Sequence, residues 1–192
     1  LPSNLTIRCC LMKKIISLFA RNYDGDRRVR DEIVPGAEWV QAGEGVATRK
    51  YDGTCCMVQE GKLWKRYEVK KGKTPPPNFE AATEPDPNTG KQQGWVPVGD
   101  GPEDKWHREA FDAQSDGTYE LCGPKVQGNP EGFDTHTLIP HGKDVLEDAP
   151  RTYDAIREYL EERTIEGIVW HHPDGRMVKI KKRDFPSANA KS

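Results

Sequence analysis

The stretch Lys50-Tyr51-Asp52-Gly53-Thr54-Cys55-Cys56 separates an alternating polar segment from a run of small and apolar residues. Residues 46–50 (VATRK) predict a short β-strand that ends at Lys50. Asp52-Gly53 then predicts a tight turn, because glycine accepts a positive φ. The triplet Tyr-Asp-Gly recurs at residues 23–25, where an asparagine replaces the lysine. By itself the stretch leaves two interpretations of Lys50 open, a surface lysine beside a turn or a nucleophile.

The segments around this stretch predict antiparallel β-structure. Residues 54–58 and 63–69 predict a hairpin that turns at Glu60-Gly61. Further strands are predicted at residues 13–21, 117–123, 136–142, 165–170 and 176–182. Residues 152–164 have helical spacing with Thr152 placed to cap the helix, and residues 106–113 predict a second, short helix. Residues from about 70 to 104, which are rich in Pro and Gly, predict a long irregular segment interrupted by an apolar island at residues 94–98. We therefore expect an α+β fold of antiparallel β-sheets with flanking helices.

Composition limits the classes of function. With 192 residues and a formal net charge of −2, the chain has no global basic character that would indicate nucleic-acid binding. Two local stretches are basic, residues 62–73 and 179–183, and each is either an anion site or a solvated face. Five cysteines, arranged as two adjacent pairs and a lone Cys122, fit neither a disulfide framework nor a zinc site. The adjacent His171 and His172 point to opposite faces of a strand, which disfavours a metal site there. We expect a reducing, cytoplasmic setting.

The ends of the chain indicate its domain organisation. No run of the roughly 20 apolar residues that a transmembrane helix requires is present. Residues 12–20 are too short in apolar length for a signal peptide, and charged residues follow at once. Because the sequence begins with Leu1, Met12 is a candidate natural start. We expect an extension at residues 1–11, a single domain at residues 12–185 that contains the irregular segment at about 70–104, and a disordered tail at residues 186–192.

Charged residues follow Lys50 in an order that suits nucleotide chemistry: Arg66, Glu120, Glu166, Lys179 and Lys181. Taken singly, each fits a solvated surface position. Glu120 and Glu166, however, fall in otherwise apolar strands, where a carboxylate costs free energy unless it is paired or bound to a ligand. Lys179 and Lys181 are two residues apart, so both point to one face of a strand. Cations placed in this way would favour the neutral amine that attacks phosphorus and would offset charge on phosphoryl oxygens. As an ordered set, these residues favour a common site.

The same residues resemble motifs of the covalent nucleotidyltransferases, the superfamily of ATP-dependent DNA and RNA ligases and mRNA capping enzymes. Residues 50–53 resemble motif I, Arg66 stands where a motif Ia arginine would, and residues 119–123 resemble motif III. Residues 166–169 resemble motif IV and residues 179–181 resemble motif V. The segments KYDGTCC, GWVPV, GNP, LIPHG and EGIVWH are similar to the RNA ligase family first known from vertebrates, and this similarity runs from about residue 46 to residue 182.

The resemblance implies a nucleotidyltransferase ligase core, ATP-grasp-like, and an ATP-dependent RNA ligase that joins 5′-phosphate and 3′-hydroxyl RNA ends. Lys50 would accept AMP from ATP, and Glu166 would help to bind the catalytic Mg²⁺ (or Mn²⁺). Glu120 would contact the ribose, and Lys179 and Lys181 the phosphates. Arg66 would also bind the nucleotide, although Lys65 adjoins it and the hairpin register is open. No role is assigned to the other residues in matching segments, which are Trp95, Trp106, His107, Asn129 and His141.

Two alternatives remain beside this interpretation. One is a related nucleotidyltransferase that acts on nicked DNA or uses GTP. The other is a non-catalytic RNA- or nucleotide-binding module. Only eleven residues follow Lys181, so we expect no OB-fold, which favours an RNA ligase over DNA ligases and capping enzymes. We expect RNA as the partner, no membrane association and no obligate protein partner.

Overall fold

The computed structural model describes residues 15–187. Its strands are β1 (Ile16–Ser17), β2 (Phe19–Arg21), β3 (Val29–Ile33), β4 (Val46–Lys50), β5 (Thr54–Gln59), β6 (Lys62–Val69), β7 (Glu80–Ala81), β8 (Gln92–Pro97), β9 (Gly117–Cys122), β10 (Thr137–Pro140), β11 (Gly167–His171) and β12 (Met177–Lys181). Its helices are α1 (Glu38–Gln41), α2 (Lys105–Ala110) and α3 (Tyr153–Glu161), with 3₁₀ turns at Pro102–Asp104 and Lys182–Asp184. This confirms the coarse prediction of an α+β chain built mostly from antiparallel sheets.

The described residues form two compact units. The first unit comprises residues 52–141, and the second comprises residues 15–51 together with residues 142–187. The boundaries expected for a single domain stay a prediction. The expected extension at residues 1–11 and most of the expected tail, residues 188–192, lie outside the described residues.

The first unit is built on a six-stranded antiparallel sheet with the order β10-β9-β5-β6-β8-β7. The hairpin of β5 and β6 turns through Glu60 and Gly61, whose φ values are 52° and 70°. Two consecutive positive φ values are typical of the tight turns that match the twist of a hairpin. One face of the sheet packs Cys56, Tyr119 and Leu121 against Ala110 of α2. The other face carries a smaller apolar cluster formed by Met57, Trp64, Ala82 and Trp95.

The second unit is built on a four-stranded sheet with the order β1-β12-β11-β4 and a two-stranded sheet of β2 and β3. All its pairs are antiparallel except β1 with β12. Alternate residues of the larger sheet enter its core, where Ile168, Trp170 and Ile180 are fully buried beside Ile156 and Leu160 of α3. Fully burying an aliphatic side chain of this size contributes roughly 1.5–3 kcal/mol. The opposite face of the sheet is left for polar side chains.

Four local predictions are corrected by the structure. The strand predicted at residues 13–21 is divided at Leu18, since β1 joins one sheet and β2 another. The segment at 70–104 contains β7 and β8 and is therefore only partly irregular. Thr152 lies at the N-cap of α3 but makes no side-chain capping hydrogen bond.

Within residues 15–187, no helix is long and apolar enough to cross a membrane.

Gly53 is the fourth correction, because its backbone is not left-handed. Residues 51–53 join β4 of one sheet to β5 of the other and do not close a hairpin. A Cβ atom at Gly53 would lie 2.1 Å from the carbonyl oxygen of Leu121. The glycine is needed here because two backbones approach closely, and not because of a positive φ.

Candidate nucleotide site

Lys50 is the last residue of β4 and lies at the end of three neighbouring strands. In the sheet register, Gly167 of β11 is opposite Lys50 and is also opposite Lys181 of β12. Residues in one such row point to the same face, so Lys50 and Lys181 project from the same side of the sheet. The core occupies the opposite side.

Glu166 directly precedes β11 and lies between these two lysines. The Nζ atom of Lys50 is 2.7 Å from Oε2 of Glu166, and the Nζ atom of Lys181 is 3.4 Å from Oε1. The Glu166 side chain is only 8% exposed, against 19% for Lys50 and 20% for Lys181. A carboxylate at this burial is expensive without partners, and two ammonium groups supply them. The structure therefore brings together three of the six predicted site residues.

Lys179 projects from the same face as Lys181. It lies opposite Val169 of β11, and Val169 in turn lies opposite Thr48 of β4. The register confirms the prediction that the lysines at positions i and i+2 share a face. The hydroxyl of Thr48 donates to the carbonyl oxygen of Val169 at 3.1 Å and contacts Nε2 of His171 at 3.0 Å. The sheet thus presents three lysines on one face.

The residue after Lys50 is held by contacts that the sequence analysis missed. The Tyr51 hydroxyl donates to the carboxylate of Asp144, and the guanidinium of Arg49 lies 4.4 Å from the centre of the Tyr51 ring. The backbone N–H of Arg49 donates to the carbonyl oxygen of Asp144 at 2.8 Å. These contacts fix the chain on both sides of Lys50. The sequence showed Tyr51 beside Lys50, but it could not show that Asp144 is the partner of Tyr51, because the two residues are far apart in the chain.

In the first unit, the Glu120 carboxylate is hydrogen-bonded to the His141 ring. Oε2 of Glu120 is 2.8 Å from Nε2 of His141, and the Glu120 side chain is 13% exposed. In the sheet register Glu120 lies opposite Cys55 and Ile139. The cost of placing Glu120 in an apolar strand is therefore met by a histidine, which gives His141 a structural partner that the sequence did not reveal.

Arg66 lies on the exposed part of β6, opposite Trp95. Its Nε donates to the side-chain oxygen of Gln93 at 3.0 Å. The neighbouring Lys65 pairs with the buried Asp104 instead. Burial alone would raise the pKa of Asp104, but hydrogen bonds from the Lys65 ammonium and the Gly99 N–H outweigh it and hold the pKa below its ordinary value. Lys65 therefore forms an ion pair with Asp104, while the Arg66 side chain stays exposed at the surface.

The other residues that had no predicted role are now placed. Trp95 is buried in the apolar cluster, and the Trp106 ring stacks on His136 with centroids 4.5 Å apart. His107 is half-buried, and the loss of solvent around its ring lowers its pKa below the ordinary value. Asn129 exchanges two hydrogen bonds of 3.0 Å with the backbone of Phe133. Each of these four side chains therefore has a buried or half-buried position or a partner within the first unit.

The described region contains three cysteines, and none of them forms a disulfide. Cys55, Cys56 and Cys122 are free thiols. Burial raises the pKa of Cys56 well above its ordinary value, so its thiol stays protonated and packs as a small apolar side chain.

The residues around Lys50 offer a metal ion one carboxylate. Within residues 15–187, no group of three or more His, Cys, Asp or Glu side chains could hold a metal ion. Mg²⁺ commonly binds through one or two carboxylates together with waters and substrate phosphates, and does not need a complete protein cage. Glu166 fits that role, provided that its oxygens are released from Lys50 and Lys181.

Comparison with known proteins points to one group of enzymes. A family model described as RNA ligase 1 matches residues 109–188, a span that contains Glu120, Glu166, Lys179 and Lys181 but neither Lys50 nor Arg66. Mouse RNA ligase 1 is 27% identical over 213 aligned positions, which cover 70% of this chain and 65% of the mouse protein. RNA ligase 1 of Rattus norvegicus matches with the same identity and coverage. RNA ligase 1 of Danio rerio is 38% identical over 72 residues, which cover 33% of this chain and 22% of the zebrafish protein. The chain thus spans less than two thirds of the length of these relatives.

Proposed function

We propose that this chain, which is related to the vertebrate-type RNA ligase 1 family, is an ATP-dependent RNA ligase that works through a lysyl-AMP intermediate. The observation that carries the proposal is the Lys50–Glu166 pair, with Lys181 on the second carboxylate oxygen. In this arrangement a candidate nucleophile, a candidate proton acceptor and a candidate phosphate-binding cation lie together at the ends of β4, β11 and β12. RNA is the substrate class that the names of the relatives support.

In the first step, the nitrogen of Lys50 attacks the α-phosphorus of ATP. A phosphorus–nitrogen bond forms, the bond to the bridging oxygen breaks, and pyrophosphate leaves with the bonding electrons. The amine must lose a proton, and Oε2 of Glu166 lies 2.7 Å away, within hydrogen-bond reach. Lys179 and Lys181 are placed to offset the negative charge on the phosphoryl oxygens.

Two further transfers complete the ligation. An oxygen of the RNA 5′-phosphate attacks the phosphorus of the lysyl-AMP, the phosphorus–nitrogen bond breaks, and Lys50 regains a proton. The RNA 3′-hydroxyl then attacks the 5′-phosphate of the adenylylated end. A phosphodiester forms, the hydroxyl proton is released, and AMP leaves.

The remaining predicted residues keep their proposed roles. Glu120 contacts the ribose and Arg66 binds the nucleotide. Mg²⁺ (or Mn²⁺), held in part by Glu166, supplies positive charge against the triphosphate when it is bound. We further propose a cytoplasmic setting, which the free thiols of Cys55, Cys56 and Cys122 support, and action without an obligate protein partner.

The test is transfer of label from α-labelled ATP to the protein in the presence of magnesium. Wild-type protein is expected to retain label through denaturing electrophoresis, and the label should be lost in acid and stable in alkali, as for a phosphorus–nitrogen bond. Lys50→Arg keeps a cation beside Glu166 but removes the nucleophile, so it should take up no label. Lys73→Arg is the matched control on an exposed lysine and should label normally.

The outcome also separates the proposal from its alternatives. If Lys50→Arg is labelled as strongly as wild type, the proposed nucleophile is wrong. Competition by unlabelled GTP in preference to ATP would favour a capping-type nucleotidyltransferase. A labelled protein that seals nicked DNA but leaves single-stranded RNA ends unjoined would contradict the RNA substrate.

A further inference from the structure

A basic cavity of about 270 Å³ opens on the surface of the second unit. Four cationic side chains and one carboxylate line it, and the floor is partly apolar; the lining residues are Arg28, Arg157, Glu161, Lys182, Arg183, Phe185, Pro186 and Ser187. The whole chain has a formal net charge of −2. A concentration of cations in one cavity is therefore a local feature and does not reflect general basicity.

In the part of the chain that the structure describes, three of these cations form no side-chain ion pair with a carboxylate. Arg28 donates to the carbonyl oxygen of Arg183, and Lys182 donates to the carbonyl oxygens of Glu161 at 3.3 Å and Arg163 at 2.9 Å. Among residues 15–187, Arg183 has no side-chain ion pair. Carbonyl oxygens carry only partial charge, so they satisfy hydrogen bonds without cancelling a full positive charge. The cavity keeps a positive potential.

The fourth cation is only weakly paired. Arg157 lies 3.3 Å from Asp154 and 4.0 Å from Glu161, and the Asp154 side chain is 72% exposed. Exposed pairs of this kind contribute at most about 1 kcal/mol. An incoming anion can therefore compete for the guanidinium of Arg157.

Consecutive residues of the chain connect the cavity to the Lys50 cluster. Lys182 directly follows Lys181, and the backbone N–H of Lys182 donates to the carbonyl oxygen of Glu166 at 2.8 Å. Lys181 points to the face that carries Lys50, while Lys182 reaches the carboxyl end of α3. Because consecutive residues of an extended strand point to opposite faces, the cavity and the Lys50 cluster lie on opposite sides of the end of β12. A single strand of nucleic acid that passes around this end can place phosphates on both sides.

We propose that the basic cavity binds the phosphate backbone of the RNA strand whose end reaches Lys50. This rests on the proposed RNA ligase function and adds a substrate-holding site to it. The volume is below the about 300–1,000 Å³ typical of pockets that enclose a small molecule, which suits one or two phosphodiester units and not a buried nucleotide. Flexible cations around an open cavity give affinity without sequence preference, because they contact phosphates and not base edges.

The experiment measures binding of a fluorescent, 5′-phosphorylated single-stranded RNA by anisotropy across a salt series. Arg183→Gln is the main variant, since Arg183 makes no ion pair within the described residues. Lys182→Gln is the second variant. Lys73→Gln, on an exposed lysine of the other unit, removes the same charge and serves as the matched control. Thermal unfolding of each variant shows whether the fold is retained.

Each cavity variant is expected to bind RNA about tenfold more weakly than wild type. The slope of log affinity against log salt should fall by about 0.7 for each lost phosphate contact, and Lys73→Gln should match wild type. Should Lys182→Gln unfold because it removes contacts at the end of α3, Arg183→Gln still decides the question. Wild-type affinity and slope in Arg183→Gln, or an equal loss in Lys73→Gln, would overturn the proposal.

Self-labelling of the wild-type protein with α-labelled ATP is run in parallel. If the wild type forms the lysyl adduct but Arg183→Gln binds RNA normally, only the cavity proposal fails. If the wild type forms no adduct, the proposed ligase function fails, while the salt slopes still show whether the cavity binds RNA.

Discussion

Removing the charge of Glu166 should destabilise the protein, because Glu166 would no longer form ion pairs with Lys50 and Lys181. In Glu166→Gln, the 2.7 Å contact to Lys50 and the 3.4 Å contact to Lys181 lose their ionic component. A hydrogen bond to a charged group is worth about 1.5–3 kcal/mol, and the longer contact adds at most about 0.5 kcal/mol because Lys181 is partly exposed. Glutamine keeps one acceptor oxygen, so we expect a loss of about 2 kcal/mol. For a chain of this size that lowers the melting temperature by about 4–8 °C.

A double-mutant cycle measures how much of this loss in stability comes from the interaction between Lys50 and Glu166. Chemical unfolding of wild type, Lys50→Met, Glu166→Gln and the double variant gives the coupling free energy between the two side chains. We expect about 1–2 kcal/mol, well above the 0.3–0.5 kcal/mol by which independent sites depart from additivity. Glu162→Gln, an exposed carboxylate of the same unit, should have little effect.

A coupling free energy below about 0.5 kcal/mol would refute this reasoning, because Lys50 would then owe nothing measurable to Glu166. The same variants also report on chemistry. If Glu166 accepts the proton of Lys50, Glu166→Gln should slow self-adenylylation by at least about 100-fold. If the two side chains are coupled but Glu166→Gln is labelled at the normal rate, Glu166 has a structural role and does not accept the proton.

Two further predictions follow from single contacts. Gly53→Ala places a Cβ atom 2.1 Å from a backbone oxygen and should lower the free energy of unfolding, measured with chemical denaturant, by roughly 1–3 kcal/mol. Gly99→Ala is the control and should be nearly neutral, because the nearest atom to its Cβ would be 3.6 Å away. Equal stability of the two variants would contradict the close-approach explanation. The lowered pKa of Asp104 means that its ionised form stabilises the fold above the ordinary value of 3.8, and this contribution is lost as the pH falls through the lower folded value. The difference in unfolding free energy between wild type and Asp104→Asn should therefore shrink steadily below about pH 4, and a difference that grows with acid would show the sign to be wrong.

Lys50 is placed to serve both the stability of the fold and the proposed reaction. In the resting protein, its ammonium offsets the charge of a largely buried carboxylate. In the proposed reaction, the same contact provides a route for the proton.

The sequence alone determined the local elements of this protein. The strand ending at Lys50, the hairpin of β5 and β6, and the strands around Glu120, Glu166 and Lys181 all follow from short-range patterns of apolar residues and turns. The shared face of Lys179 and Lys181 needed only the two-residue period of a strand. The motif resemblance identified candidate residues for the proposed chemistry, because the order of motifs along the chain can be read from the sequence.

Only the tertiary structure decided which distant residues meet. Lys50 and Glu166 are 116 positions apart, and Tyr51 and Asp144 are 93 apart. Their contacts depend on which strands pair and in which register, and register is set by the packing of whole faces and not by local preference. Gly53 makes the same point, since the sequence suggested a turn while the fold required space for Leu121. The pairing of Glu120 with His141 likewise exists because antiparallel β9 and β10 bring them together.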